Sequence, residues 1–321
     1  MMESKLHHVD NGAGWRLGLS QAWDPMTLDP ARRPVAIIPG YGMNGFIFGY
    51  HPRGRSMVEA LAAQGFEVWV VNLRNQEPSV STGGGREYSL RDVSVTDLGV
   101  AVRTILEQTR TDTDRVDLIG ASLGGTMAYV YLVLEPDHHV GSLVSIGGPL
   151  RWERVHPVLR FSFGCECIAR LLPTRGTRRL AGLALPLMSR APWLLSIYLH
   201  PELVDLSAAD QLVRTVEDPN KTLNLEISRW IRERDLVIDG TNITEGFRSV
   251  TCPLLCVIAN ADGIVPPETA ASALRVSGSG VRDALDVGTV DMRYAHADLF
   301  IGNDSERDVF VPIGTWLSEQ R

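Results

Sequence analysis

The stretch Val116-Asp117-Leu118-Ile119-Gly120-Ala121-Ser122-Leu123-Gly124-Gly125 carries the decisive signal in this chain. Residues 116–119 read as a short buried strand, and residues 122–134 read as an apolar helix that follows it without a linker. A serine at so sharp a strand-to-helix turn must take a strained backbone conformation. Only small neighbours avoid clashes there, which accounts for Gly120, Gly124 and Gly125. The turn lifts the Ser122 hydroxyl to the carboxyl end of the sheet and directs a helix N-terminus at it, where backbone N–H groups can receive an oxyanion. The pattern Gly120-x-Ser122-x-Gly124 is weak as a string, and its weight comes from the strand before it and the helix after it.

Working outward, strand-like and helix-like segments alternate. Residues 35–39 and 67–73 are short apolar runs, 56–64 has helical spacing closed by Gly65, 95–108 is amphipathic, and 142–146 is a strand closed by Gly147 and Gly148. Residues 15–23 alternate apolar and polar like an edge strand, and 79–85 is a Ser/Gly-rich loop. Strand pattern resumes at 254–259, followed by a helix at 267–276, a strand at 287–294 and a final helix at 309–320. This order predicts an α/β fold with a mostly parallel sheet. Between residues 149 and 250 there are helical segments and Pro/Gly breaks without a convincing buried strand, so the expected organisation is a core of 1–148 and 251–321 with an all-helical cap at 149–250.

A serine nucleophile needs a base, and the base needs an orienting acid. Asp262, in Asn260-Ala261-Asp262-Gly263, lies just past the strand 254–259, on the same sheet edge as Ser122. His296 follows the strand expected at 287–294, again at that edge. The bland readings are an Asp-Gly turn and a loop histidine, but three such residues at three strand ends are far more specific than any one. Asp298 is the runner-up acid, too near His296 in sequence to orient it easily, and Asp97 reads as structural.

The order Ser122, Asp262, His296 with a helical insertion resembles the α/β-hydrolase fold superfamily, over nearly the whole chain outside the cap. The segments Tyr41-Gly42-Met43-Asn44-Gly45-Phe46 and His296-Ala297-Asp298-Leu299-Phe300-Ile301-Gly302 resemble the branch that holds acid lipases and polyhydroxyalkanoate synthases. Those synthases usually carry cysteine as nucleophile, so Ser122 turns the implication toward hydrolysis. Many members have His-Gly after the third strand where this chain has Pro39-Gly40. The resemblance implies an oxyanion hole made by the N–H groups of Leu123 and Tyr41, with Gly42 and Met43 as alternatives to Tyr41. It implies a serine carboxylic-ester hydrolase acting on a small-molecule or lipid-like ester. Acyl transfer, hydroxyalkanoate polymer or oligomer hydrolysis, and ligand binding on a hydrolase scaffold remain as alternatives.

Composition excludes other classes. The chain has 321 residues, 44% hydrophobic, with a net charge of -7, which argues against nucleic acid and anionic membrane as partners. No apolar run approaches a bilayer span, and residues 1–20 lack the apolar core of a signal peptide, so a cytoplasmic location is expected. Cys165, Cys167, Cys252 and Cys256 form no CxxC pair, His138 and His139 have no partner ligands at metal spacing, and the expected chemistry needs no cofactor. Gly40-Tyr41-Gly42-Met43-Asn44-Gly45 fits a dinucleotide loop only if a helix opens on it, and residues 46–52 show no helical period. In the cap, Leu171, Leu172 and the runs 183–188 and 193–199 are apolar enough either to line an acyl pocket or simply to pack helices.

Overall fold

The computed structural model describes residues 2–188 and 196–320, without the side chains of 184–188. Its strands are β1 (Glu3–Asp10), β2 (Trp15–Trp23), β3 (Val35–Ile38), β4 (Val68–Asn72), β5 (Val80–Ser81), β6 (Val116–Ala121), β7 (Val140–Ile146), β8 (Val237–Ile238), β9 (Thr241–Asn242), β10 (Leu254–Ala259) and β11 (Arg282–Val287). Nine of them form one sheet in the order β1-β2-β4-β3-β6-β7-β10-β11, with β5 paired to β2, while β8 and β9 make a separate hairpin. From β4 to β11 neighbouring strands are parallel, and β1, β2 and β5 join antiparallel at one side.

Strands β3, β4, β6, β7 and β10 are buried at every residue, as a sheet covered on both faces requires. Their side chains alternate between two apolar layers. Ala36, Ile38, Trp69, Val71, Cys256 and Ile258 face a layer built with α2 (Leu98–Gln108) and α3 (Leu123–Leu134). Val35, Ile37, Val68, Val70, Leu255 and Val257 face the other, built with α1 (Met57–Ala63) and the C-terminal helix Val311–Glu319. Each fully buried aliphatic side chain contributes about 1.5–3 kcal/mol. The start of α1 is set locally: Ser56 and Glu59 form a reciprocal capping box, and Gly65 takes φ 93 just past the end.

Two expectations are corrected. Residues 15–23 do not form an edge strand, because β1 pairs along the whole outer side of β2. β1 is nearly all exposed, so it has no hydrophobic pattern to announce it. The last strand is β11 at Arg282–Val287, earlier than 287–294. It pairs Val287 with Ala259 and stops at Gly288, which takes φ 106. The misleading alternation beyond it includes Val290, which is 96% exposed. Two buried carboxylates brace the sheet. Asp97 takes a bidentate fork from Arg74 at 2.8 and 2.7 Å, together with the Asn11 amide at 2.7 Å, as its structural reading implied. Asp117 on β6 accepts from Arg33 Nε at 2.7 Å and Ser142 at 2.8 Å.

Between β7 and β10 the chain leaves the sheet mostly as helices, including α4 (Pro157–Phe163) and Lys221–Glu233. The segment is not all-helical as expected, because the short β8–β9 hairpin pairs Val237 with Asn242 and Ile238 with Thr241. Near the end of this excursion Ile243 and Phe247 return to the core, where the Phe247 ring stands edge-on to Tyr129 of α3 at 4.9 Å.

Candidate active site

The turn from β6 into α3 has the expected strain: Ser122 takes φ 53 and ψ -121. Its glycines are required by contact as well as by the turn. A Cβ on Gly120 would fall 2.5 Å from Gly125 Cα, and one on Gly124 would fall 2.3 Å from the Ile38 carbonyl oxygen of β3. The Ser122 N–H donates to the Ile146 carbonyl of β7 at 2.8 Å, so the elbow is pinned to both neighbouring strands.

Asp262 and His296 come together at the same sheet edge. His296 Nδ1 donates to Asp262 Oδ2 at 2.5 Å, and both side chains are buried. The other oxygen, Asp262 Oδ1, accepts the Ile264 and Val265 N–H groups, each at 2.8 Å. The carboxylate is therefore held by its own loop and has one oxygen left to orient the imidazole. With the proton on Nδ1, Nε2 is free to act as a base. The loop that delivers His296 is turned by Asn260, whose amide donates to the Thr289 and Met292 carbonyls and accepts the Tyr294 N–H.

Gly147, φ 57, sits against this pair: a Cβ there would lie 3.1 Å from His296 Cε1 and 3.4 Å from Asp262 Oδ2. Among the described residues, no hydrogen bond joins the Ser122 hydroxyl to His296, whereas the His296–Asp262 hydrogen bond is formed. The Asp298 carboxylate accepts from Ala295 and His200 rather than from His296.

The loop after β3 crosses the elbow closely, since a Cβ on Gly40 would stand 3.0 Å from Ser122 Cβ. Beyond it, Gly42 carbonyl accepts from Glu217 N–H and Asn44 N–H donates to Thr215 carbonyl, a bridge that leaves the N–H groups of Tyr41, Gly42 and Met43 outside it. The segment Gly45–Phe48 that follows is a short 3-10 helix. Leu123 is the first residue of α3, and the N–H groups of a first turn have no intrahelical acceptor.

Ser122 opens onto a cavity of about 210 Å³, lined by Tyr41, Leu123, Leu159, Phe163, Trp152 and Trp230 among others. The two indoles meet edge to face at 5.5 Å. The Tyr41 hydroxyl donates to Asn224 Oδ1 at 2.5 Å, and its burial pushes the phenol well above its usual range. Trp152, Trp230 and Asn224 were not identified from sequence, because nothing in a helical pattern shows which buried residue faces a neighbouring cleft. Of the residues expected in a cap, Leu171 and Leu183 are exposed, 184–188 lack described side chains and 193–195 lie outside the described residues. No described helix is long and apolar enough to cross a membrane.

Comparison with known proteins agrees with this architecture. Residues 33–164 match the family model for the alpha/beta hydrolase fold. The chain is 24% identical over 232 residues to the poly(3-hydroxyalkanoate) polymerase subunit PhaC of Allochromatium vinosum, covering 64% of this chain and 61% of that one, which is less than two thirds of its length. It is 22% identical to the corresponding Synechocystis subunit, over 93% of this chain and 81% of that one. Among solved structures, a bromoperoxidase from Bacillus anthracis superposes with a TM-score of 0.65 at 15% identity, over 99% of this chain and 100% of that one. A monoacylglycerol lipase from Paleococcus ferrophilus gives 0.62 at 16% identity, over 95% and 99%. Taken with the sheet order and the elbow, these matches show that the chain has the alpha/beta hydrolase fold.

Proposed function

We propose that the protein is a serine carboxylic-ester hydrolase that accepts a hydrophobic acyl group, with residues 149–250 acting as a cap over the site. His296 Nε2 removes the proton from Ser122 as its Oγ attacks the ester carbonyl. Asp262 stabilises the imidazolium, and the N–H groups of Leu123 and Tyr41 receive the oxyanion. The imidazolium returns its proton to the leaving alcohol. Water, deprotonated by the same histidine, then attacks the acyl-enzyme and releases the acid. The contact between Ser122 and His296 tightens when substrate fills the cavity, as serine–base contacts commonly do on forming the Michaelis complex.

The observation that carries this reading is the His296–Asp262 hydrogen bond at 2.5 Å, on the same sheet edge as a strained serine that opens onto an apolar cavity. A second reading, acyl transfer to a hydroxyl or cleavage of hydroxyalkanoate esters, draws on the similarity to the polymerase subunits. A fluorophosphonate probe tests the shared first step. Wild type is expected to label at Ser122, Ser122→Ala not at all and His296→Ala far more slowly. A folded wild-type protein that does not label refutes the triad. Product analysis of a turned-over ester then separates free acid from transferred acyl group, and tight retention without turnover would favour a binding protein.

A further inference from the structure

Residues 197–204 are stitched to both loops that carry the acid and the base. The Ile197 carbonyl accepts the Gly263 N–H at 3.1 Å, one residue past Asp262, and the Tyr198 carbonyl accepts the Ala297 N–H at 2.7 Å, one residue past His296. Asp298, wholly buried, accepts the Ala295 N–H at 2.7 Å. From the same segment it also accepts the His200 backbone N–H and imidazole Nδ1–H, each at 3.0 Å. Further along, Asn303 N–H donates to the Leu203 carbonyl at 2.7 Å, and Val204 bridges to Gly302. The main chain on both sides of His296 is thus anchored to one segment, which also holds the neighbour of Asp262. A buried carboxylate is stable only when its oxygens are satisfied, and His200 supplies two of the donors that satisfy Asp298.

We propose that His200 and Asp298 form a positioning pair for the base. They fix the backbone around His296 so that its ring keeps register with Asp262 and Ser122, and they act on turnover rather than on substrate binding. The inference rests on the triad reading above. Its scale follows from geometry, since a misplacement of about 1 Å in a reacting group costs on the order of 100-fold in rate.

His200→Ala, His200→Phe and His200→Asn are compared with wild type by three measurements. These are hydrolysis of p-nitrophenyl butanoate, thermal melting, and the low-field proton NMR signal of the His296–Asp262 hydrogen bond. The Ala and Phe variants are expected to lose roughly tenfold to 100-fold in kcat with KM nearly unchanged, and to lose or broaden the low-field signal. The Asn variant, whose amide can donate to Asp298, recovers most of both. If the Ala variant does not fold, Phe, which keeps the ring volume without the donor, decides. Wild-type kcat and signal in a folded Phe variant would overturn the pair, as would an Asn variant no better than Phe or a loss confined to KM. If wild type hydrolyses no ester, the ester reading fails by itself, and the low-field signal still decides for or against the pair.

Discussion

Gly147→Ala is the sharpest single perturbation of the site. The glycine holds φ 57, and a Cβ there would lie 3.1 Å from His296 Cε1. Comfortable carbon–carbon contact is about 3.5–4.0 Å, so the ring must withdraw by about half an ångström or more. It cannot do so freely, because Nδ1 is tied to Asp262 at 2.5 Å and Asp262 is tied to its own loop by two backbone N–H groups at 2.8 Å. The displacement therefore falls on the Nε2 side, where the proton is taken from Ser122. A fall in kcat of roughly tenfold to 100-fold is expected, with KM little changed. Placing an L side chain in the left-handed region costs about 1–2 kcal/mol as well, which lowers the melting temperature by a few degrees. Steady-state kinetics on a short-chain p-nitrophenyl ester, with melting as a control, reads both effects. If folded Gly147→Ala hydrolyses within twofold of wild type while Ser122→Ala is inactive, His296 in this position is not the base.

The remaining predictions concern the frame. Gly124→Ala should prevent the elbow from forming, because its Cβ would stand 2.3 Å from the Ile38 carbonyl and neither β3 nor α3 can yield; loss of soluble folded protein or of probe labelling checks this. Burial raises the Asp117 carboxyl to about 6 despite Arg33 beside it. The native state therefore holds this proton more tightly than the unfolded chain does. Stability falls as pH rises through the window between the ordinary carboxylate value and about 6, and is flat above it. Denaturant titrations should show wild type losing up to about 3 kcal/mol relative to Asp117→Asn across that window. Burial pushes the Cys256 thiol up to about 12, whereas the hydrogen bond from Cys167 lowers Cys165, so peptide mapping after brief alkylation near neutral pH should find Cys165 modified and Cys256 intact.

What the residues determine by themselves is local. The serine between glycines, the capping box at Ser56 and Glu59, and the unbroken apolar runs of β3, β4 and β10 are readable because a turn, a cap or a doubly covered strand constrains residues that are neighbours in the chain. The position of Asp262 at the sheet edge is legible for the same reason, since it follows its strand closely. His296 reaches the expected sheet edge although the strand before it ends earlier, because the loop from Gly288 still returns it there.

Tertiary structure decided everything that depends on partners distant in sequence. β1 has no apolar pattern, and only its pairing with β2 makes it a strand. The cavity wall of Trp152, Phe163 and Trp230, the Tyr41–Asn224 hydrogen bond and the His200–Asp298 contact each join segments that no local spacing relates. Hydrophobic periodicity says that a helix buries a face, but not which face of which neighbour receives it. A buried polar side chain likewise announces only that it needs a partner, and packing alone determines that the partner of Asp298 is a histidine 98 residues earlier.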